Sequence, residues 1–244
     1  MYALDKEGKI YAWGYNYSGQ LGDGTTTNRS TPICISEISG NPLKNKKIVK
    51  ISGGLYSNAV ALDEEGKVYT WGDNYYGQLG DGTTTNSSTP ICISNIEGSM
   101  LQGKKITDIY TDYHFVIAKD VNGEIYAWGD NFNGQLGNGT TEDSSIPICI
   151  SNIEGSKIQG QNITDIYITG STVIAKDING KLYAWGANYK GMLGNGTTED
   201  SGIPICISEI EESPLKGKKI VKLFFSRAIR ALDDNGVLYI WGRS

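Results

Sequence analysis

Four cysteines, one histidine and a recurring set of aspartates are the residues of this 244-residue chain with the side chains for covalent, acid–base or metal chemistry. Cys34, Cys92, Cys149 and Cys206 each sit in a copy of Pro-Ile-Cys-Ile, 57 or 58 residues apart. Zinc ligands come in close pairs along a chain, and a disulfide needs Cα atoms within ~7 Å. Neither pattern fits, so the cysteines read as small apolar strand residues of a core. His114 is the single histidine. An imidazole-based nucleophilic scheme has only this base, with no repeated Ser or Cys beside it, so His114 reads as a surface or partner contact. The stretches Asp5–Gly8, Asp63–Gly66, Asp120–Gly123, Asp177–Gly180 and Asp233–Gly236 share Asp-x-x-Gly with calcium loops. They lack the further oxygen ligands, the closing Glu and the flanking helices, and read as tight turns. The glycine-rich stretch Gly19–Thr25 and its copies lack the Gly-Lys-Ser/Thr of a phosphate loop and a following helix, so they read as structural loops. A glycosidase-like reaction needs converging carboxylates, and the repeated acids all lie in the turns. The residues therefore predict no enzyme, no metal and no cofactor.

What must position these residues is a repeat. Trp-Gly occurs at Trp13, Trp71, Trp128, Trp185 and Trp241, and every tryptophan of the chain belongs to this series. Around the five sites the chain reads ALDKEGKIYAWG, ALDEEGKVYTWG, AKDVNGEIYAWG, AKDINGKLYAWG and ALDDNGVLYIWG. Strand and turn rules divide the unit that starts at Ala59. Residues 59–63 run down, Asp63–Gly66 turns, and 68–72 runs back. A long Gly/Thr/Asn loop leads to a strand at Pro90–Ser94, and a further strand follows at Lys105–Tyr110. Four antiparallel strands recurring at this period mark a β-propeller blade. We read one repeat domain over 1–244, with units near 1–58, 59–115, 116–172 and 173–227 and a partial unit 228–244. The tryptophans are expected to pack between adjacent blades.

The combination A-L-x-x-x-G-x-(V/I/L)-Y-x-W-G-x-N-x-x-G-Q-L-G-x-G resembles the regulator of chromosome condensation repeat family. The resemblance implies an all-β propeller, typically of seven blades. Its members include exchange factors for a small GTPase, inhibitors of β-lactamases and adaptor domains. Family members often carry a His just before the Ala-Leu pair, where this chain has Asn58, Phe115, Thr172 and Ala228. The hairpins at 3–14 and 231–242 duplicate each other rather than complementing each other within one blade. About four blades plus a duplicated hairpin therefore suggest an open arc or an excerpt of a longer chain. Exposed terminal blades would leave apolar faces uncovered.

Composition limits the partners. The net charge is −5 and the pI near 5.0, which disfavours a duplex-binding surface. No apolar run reaches the ~18 residues of a membrane span, and the N-terminus lacks the pattern of a signal peptide, leaving the compartment open. Heavy use of Asn, Ile, Lys and Tyr in near-identical repeats suggests a bacterial repeat array. Positions identical in every copy serve the scaffold, so recognition is expected where the copies differ. These are the loop after each Trp-Gly and the loop before the next Ala strand, at the same end of the blades. They single out Tyr15, Tyr56, Asp73, Tyr76, Asp112, Tyr113, His114 and Asp130 as candidate contacts for a protein partner. The aspartates would favour a basic patch on it.

Overall fold

Strands buried on every residue organise the molecule, and they arise where an apolar strand is packed on both faces. The computed structural model describes residues 1–53, 58–226 and 228–242, which form five antiparallel sheets. The first holds β1 (Tyr2–Leu4), β2 (Ile10–Gly14) and β3 (Arg29–Cys34). The second holds β4 (Ile48–Gly53), β5 (Asn58–Asp63), β6 (Val68–Gly72) and β7 (Ser87–Cys92). Next come β8 (Ile106–Asp112), β9 (Phe115–Asp120), β10 (Ile125–Gly129) and β11 (Ser144–Cys149). The fourth contains β12 (Ile163–Thr169), β13 (Thr172–Asp177), β14 (Leu182–Gly186) and β15 (Ser201–Cys206). The last has β16 (Ile220–Phe225), β17 (Ile229–Asp233) and β18 (Leu238–Trp241). The chain forms two compact units, Met1–Asp130 with Asp143–Cys149, and Asn131–Glu142 with Ile150–Ser244.

These are the expected four-stranded blades, cut in a different phase. Each complete sheet takes as its first strand the apolar run that closes the preceding sequence unit, because Ile106–Asp112 pairs with Phe115–Asp120 and not with Ser87–Cys92. The strand expected at Pro90–Ser94 ends at Cys92, and Ile93–Asn95 makes one 3-10 turn. The cysteines, all free, are also less buried than the sequence suggests. Cys34, Cys92 and Cys149 are half-buried and only Cys206 is buried, since they lie at strand ends opposite Tyr11, Tyr69, Tyr126 and Tyr183.

Packing between sheets follows from side-chain alternation. On β5, Ala59 and Ala61 join Ile10, Ala12 and Leu21 of the first repeat, while Val60 and Leu62 join Ile109, Val116 and Ala118 of the third sheet. In the other unit Ile174, Leu182 and Ala184 pack on Leu223, Ile229 and Ala231. The fifth sheet has one covered face. Its Leu238 and Ile240 are 50% and 61% exposed, whereas their counterparts Leu182 and Ala184 are fully buried.

Each of four tryptophans is tied to the loop that follows the preceding Trp-Gly. The indole N–H of Trp71 donates to the Gln20 carbonyl at 2.9 Å, and those of Trp128 and Trp185 to Gln78 and Gln135 at 3.0 Å. Trp241 donates to Met192 at 3.1 Å. The glycine two residues after the accepting carbonyl lets the loop approach this closely: at Gly80, with φ +69°, a Cβ would sit 2.7 Å from the Trp128 indole nitrogen. One asparagine per loop sets the loop itself. Fully buried Asn74 accepts the Leu79 N–H at 2.9 Å and donates to the Thr83 and Thr85 carbonyls at 3.1 and 3.0 Å.

At the opposite end of the strands the Asp-x-x-Gly segments are turns, as the sequence implies. Asp233 Oδ1 accepts the N–H groups of Asn235 and Val237 at 3.0 and 2.8 Å, and Oδ2 accepts the Tyr239 hydroxyl at 3.0 Å. Asp5, Asp63 and Asp177 hold Tyr11, Tyr69 and Tyr183 in the same way. The backbone N–H of Val237 holds the Asp233 carboxyl below its ordinary value of 3.8, as the N–H of Lys9 does for Asp5. A depressed folded-state pKa supplies stability above the unfolded value that is lost as pH falls through the folded value. We therefore expect Asp233→Asn to lower the urea midpoint at about pH 7, with the difference from wild type shrinking as the pH falls through the folded-state value of the carboxyl. For the tryptophan lock, Gly80→Ala should cost about 1–3 kcal/mol more in urea unfolding than Gly98→Ala, since both need positive φ but only Gly80 also meets a neighbour.

Candidate functional site

The second and third sheets bring most of the expected contact residues together, at the end where the Trp-Gly strands finish. Gly72 ends β6 opposite Asn58, and Gly129 ends β10 opposite Phe115. At Gly129, with φ +102°, a Cβ would lie 2.3 Å from the His114 carbonyl oxygen. Only glycine lets the chain leave the strand this close to the β8–β9 turn. The next N–H, that of Asp130, donates to the same carbonyl at 3.0 Å. Asp112 Oδ1 accepts the Tyr113 N–H at 2.9 Å and supports that residue at φ +45°.

Across from this turn lies the loop that follows Trp71. The Tyr76 ring lies 4.8 Å from the His114 imidazole, and Tyr75 packs edge-on against Tyr76 at 4.9 Å. Gln78 ties the two loops. Its side-chain amide donates to Asp73 Oδ2 at 2.6 Å and lies 3.4 Å from His114 Nδ1, which is itself 3.9 Å from Asp73 Oδ2. Gln78 is fully buried, so its amide supports Asp73 and His114 from below while both stay partly exposed. The result is a half-open cluster of Asp73, Tyr76 and His114, with Asp112, Tyr113 and Asp130 on the adjoining turn and strand end. It offers aromatic faces and carboxylates, groups suited to binding a polar or cationic side chain.

Two of the expected residues stand apart. Tyr15 is in the first loop, 58% exposed and 4.8 Å from Tyr17. Tyr56 lies outside the described residues.

Reasoning from the repeat missed a second set. Tyr17, Tyr75, Phe132 and Tyr189 recur at one position in every copy, which the sequence assigns to the scaffold. They are 69%, 74%, 79% and 68% exposed. The residue the loop needs is the preceding asparagine, fully buried in all four copies. The aromatic beside it makes no part of the core. A large aromatic held in solvent at the same place four times is unusual for a surface with no role in binding. The sequence signal was the alternation Asn-aromatic after Trp-Gly, but which of the two points inward is decided only by the loop fold. Gln78 was likewise absent from the expected set, because its repeat position looked purely structural.

Comparison with known proteins gives the same architecture. The description "Regulator of chromosome condensation (RCC1) repeat" matches residues 7–61, 65–118, 122–167 and 179–225. The E3 ubiquitin-protein ligase HERC2 of Homo sapiens is 32% identical over 83% of this chain, and the ultraviolet-B receptor UVR8 of Arabidopsis thaliana is 33% identical over 80%. The matched regions make up 4% and 41% of those proteins. Among solved structures, human WBSCR16 superposes with a TM-score of 0.74 at 21% identity, covering 99% of this chain and 58% of that one. Prp20p of Saccharomyces cerevisiae superposes at 0.72 and 24%, covering 99% and 55%. These structural likenesses carry the fold. The relatives named are eukaryotic, and nothing in them supports the bacterial source suggested by composition. The repeated Trp-Gly blades, their indole locks and the matches over four successive repeats lead to one conclusion: the chain belongs to the regulator of chromosome condensation repeat family.

Proposed function

We propose that the chain is a protein-recognition module within a larger protein, acting by binding rather than catalysis through the loops that follow Trp-Gly. The observation that carries this reading is the convergence of Asp73, Tyr76 and His114 beside the exposed Tyr75, on a frame fixed by buried Asn74 and Gln78. Rigid aromatic side chains on a fixed loop give contact area at small entropic cost, the usual character of binding hot spots. Family relatives add weight, since yeast RCC1 (Prp20) has been crystallised with Kap60 bound and Prp20p studied for binding to Gsp1p and histones. The fold alone does not name the partner. Among the described residues no helix is long and apolar enough to cross a membrane.

The test is a paired capture experiment. Wild-type chain and a Tyr75→Ala, Tyr76→Ala double variant are immobilised, and the proteins each retains from the native extract are compared quantitatively. We expect at least one partner to be retained about tenfold less by the variant, with a stability change within about 0.5 kcal/mol. Equal retention of every protein by the two forms would remove the proposal.

A further inference from the structure

The turn end of the fourth and fifth sheets holds a basic cavity that the reading above does not use. It has a volume of about 350 Å³ and is lined by Lys181, Lys216, Lys218, Lys219 and Glu209. Four lysines and one glutamate line it, in a chain whose net charge is −5. Lys181 pairs with Glu209 at 2.6 Å and Lys216 with Glu211 at 2.5 Å. Lys218 and Lys219 enter no ion pair among the described residues.

The wall that carries these two lysines is fixed by the backbone on both sides. The N–H of Ile220 donates to the Gly180 carbonyl at 3.0 Å, in the turn of the fourth sheet. The Lys219 carbonyl accepts the Asp234 N–H at 3.0 Å, from the turn of the fifth. Gly180 packs so closely that a Cβ would lie 2.7 Å from the Ile220 nitrogen. Ser208 closes the floor by accepting the Leu182 N–H at 2.9 Å on its hydroxyl. The segment is thus pre-organised, and among the described residues neither ammonium group is closed by a direct ion pair, the Asp233 carboxyl acting on Lys218 only at longer range.

Other copies of the repeat show that this is particular to the fourth. A cavity of about 410 Å³ lies at the same place in the first repeat, lined by Lys9, Lys44, Lys46 and Lys47 with Glu7 and Glu37. There the charges are quenched: Lys9 pairs with Glu37, Lys46 with Glu65 at 3.6 Å, and Lys47 with Glu64 at 3.1 Å. In the second repeat Lys104 pairs with Glu124 at 2.7 Å. The third has Gln161 and Asn162 in place of the two lysines, with the same backbone bond from Ile178 to the Asn162 carbonyl. The fold therefore does not require lysine at these positions.

We propose that the Lys218–Lys219 cavity binds a small polyvalent phosphate anion of the diphosphate class. Two unpaired ammonium groups flanked by two more match an anion with several negative oxygens spread over two tetrahedral centres. Lysine acts on phosphate as a compact point charge with rotatable donors. A cavity of this size falls in the range of small-ligand sites.

The experiment is isothermal titration of the whole chain at low ionic strength with inorganic pyrophosphate, and separately with sulfate. We expect one pyrophosphate site per chain, weakened about tenfold or more in the Lys218→Gln, Lys219→Asn variant, which carries the third repeat's own residues. The melting temperature of that variant should equal that of wild type. A Lys46→Gln, Lys47→Asn control should change the affinity by less than about twofold, because those lysines are already paired. No binding of pyrophosphate would overturn the proposal. So would equal loss in both variants, which would indicate diffuse charge attraction, or sulfate binding as tightly as pyrophosphate, which would indicate a single-oxyanion site.

Discussion

One hydrogen bond per repeat, from a tryptophan indole to a carbonyl of the preceding loop, is the contact on which the rest depends. It joins Trp71 to Gln20, Trp128 to Gln78, Trp185 to Gln135 and Trp241 to Met192. A buried carbonyl left without a donor is costly, and a buried indole brings a large apolar area with it. The bond therefore fixes the path of the glycine-rich loop against the strand that carries the tryptophan. Trp13 shows the converse: it lies in the first sheet, only part-buried, while Trp71, Trp128 and Trp185 are fully buried.

The same loop serves two purposes by sending alternate residues in opposite directions. Asn74 turns inward and satisfies the backbone of its own loop, and Gln78 turns inward and reaches the next sheet's turn. Tyr75 turns outward and stays in solvent, with Tyr76 between it and His114. A surface built this way is stiff without being part of the core. Stiffness matters for recognition because ordering mobile loops on binding consumes affinity.

At the other end of the strands a different economy holds. In four of the five turns the aspartate takes two backbone N–H groups on one oxygen, and in Asp5, Asp63, Asp177 and Asp233 the other oxygen takes a tyrosine hydroxyl, so the side chain serves the scaffold. The lysines of the connecting segment are held by their backbone only, which frees their side chains to vary from copy to copy. In the first repeat they meet glutamates, in the third they are replaced, and in the fourth they stand unpaired around a cavity. The backbone bond to the carbonyl of the second of these positions is common to the four repeats, but the charge state of the surface is not.

Much of this was legible in the chain. The Trp-Gly period, the Asp-x-x-Gly turns and the alternation of β-branched and polar residues determined the blades, because strand period and turn chemistry are local properties. They also located the end at which Asp73, Tyr76, Asp112, Tyr113, His114 and Asp130 gather, since strand direction alone sorts loops to one end. What lies outside local rules was decided by the tertiary structure. The phase of the blade depends on which neighbour an apolar run pairs with, and Ile106–Asp112 is equally good strand material for either. Whether Asn74 or Tyr75 faces inward depends on a loop closed by long-range bonds. Which lysines are neutralised depends on carboxylates brought from the next sheet, as Glu64 and Glu65 are brought to Lys47 and Lys46. Repetition in the sequence marks what the backbone needs, whereas exposure and charge pairing emerge only when neighbouring sheets meet.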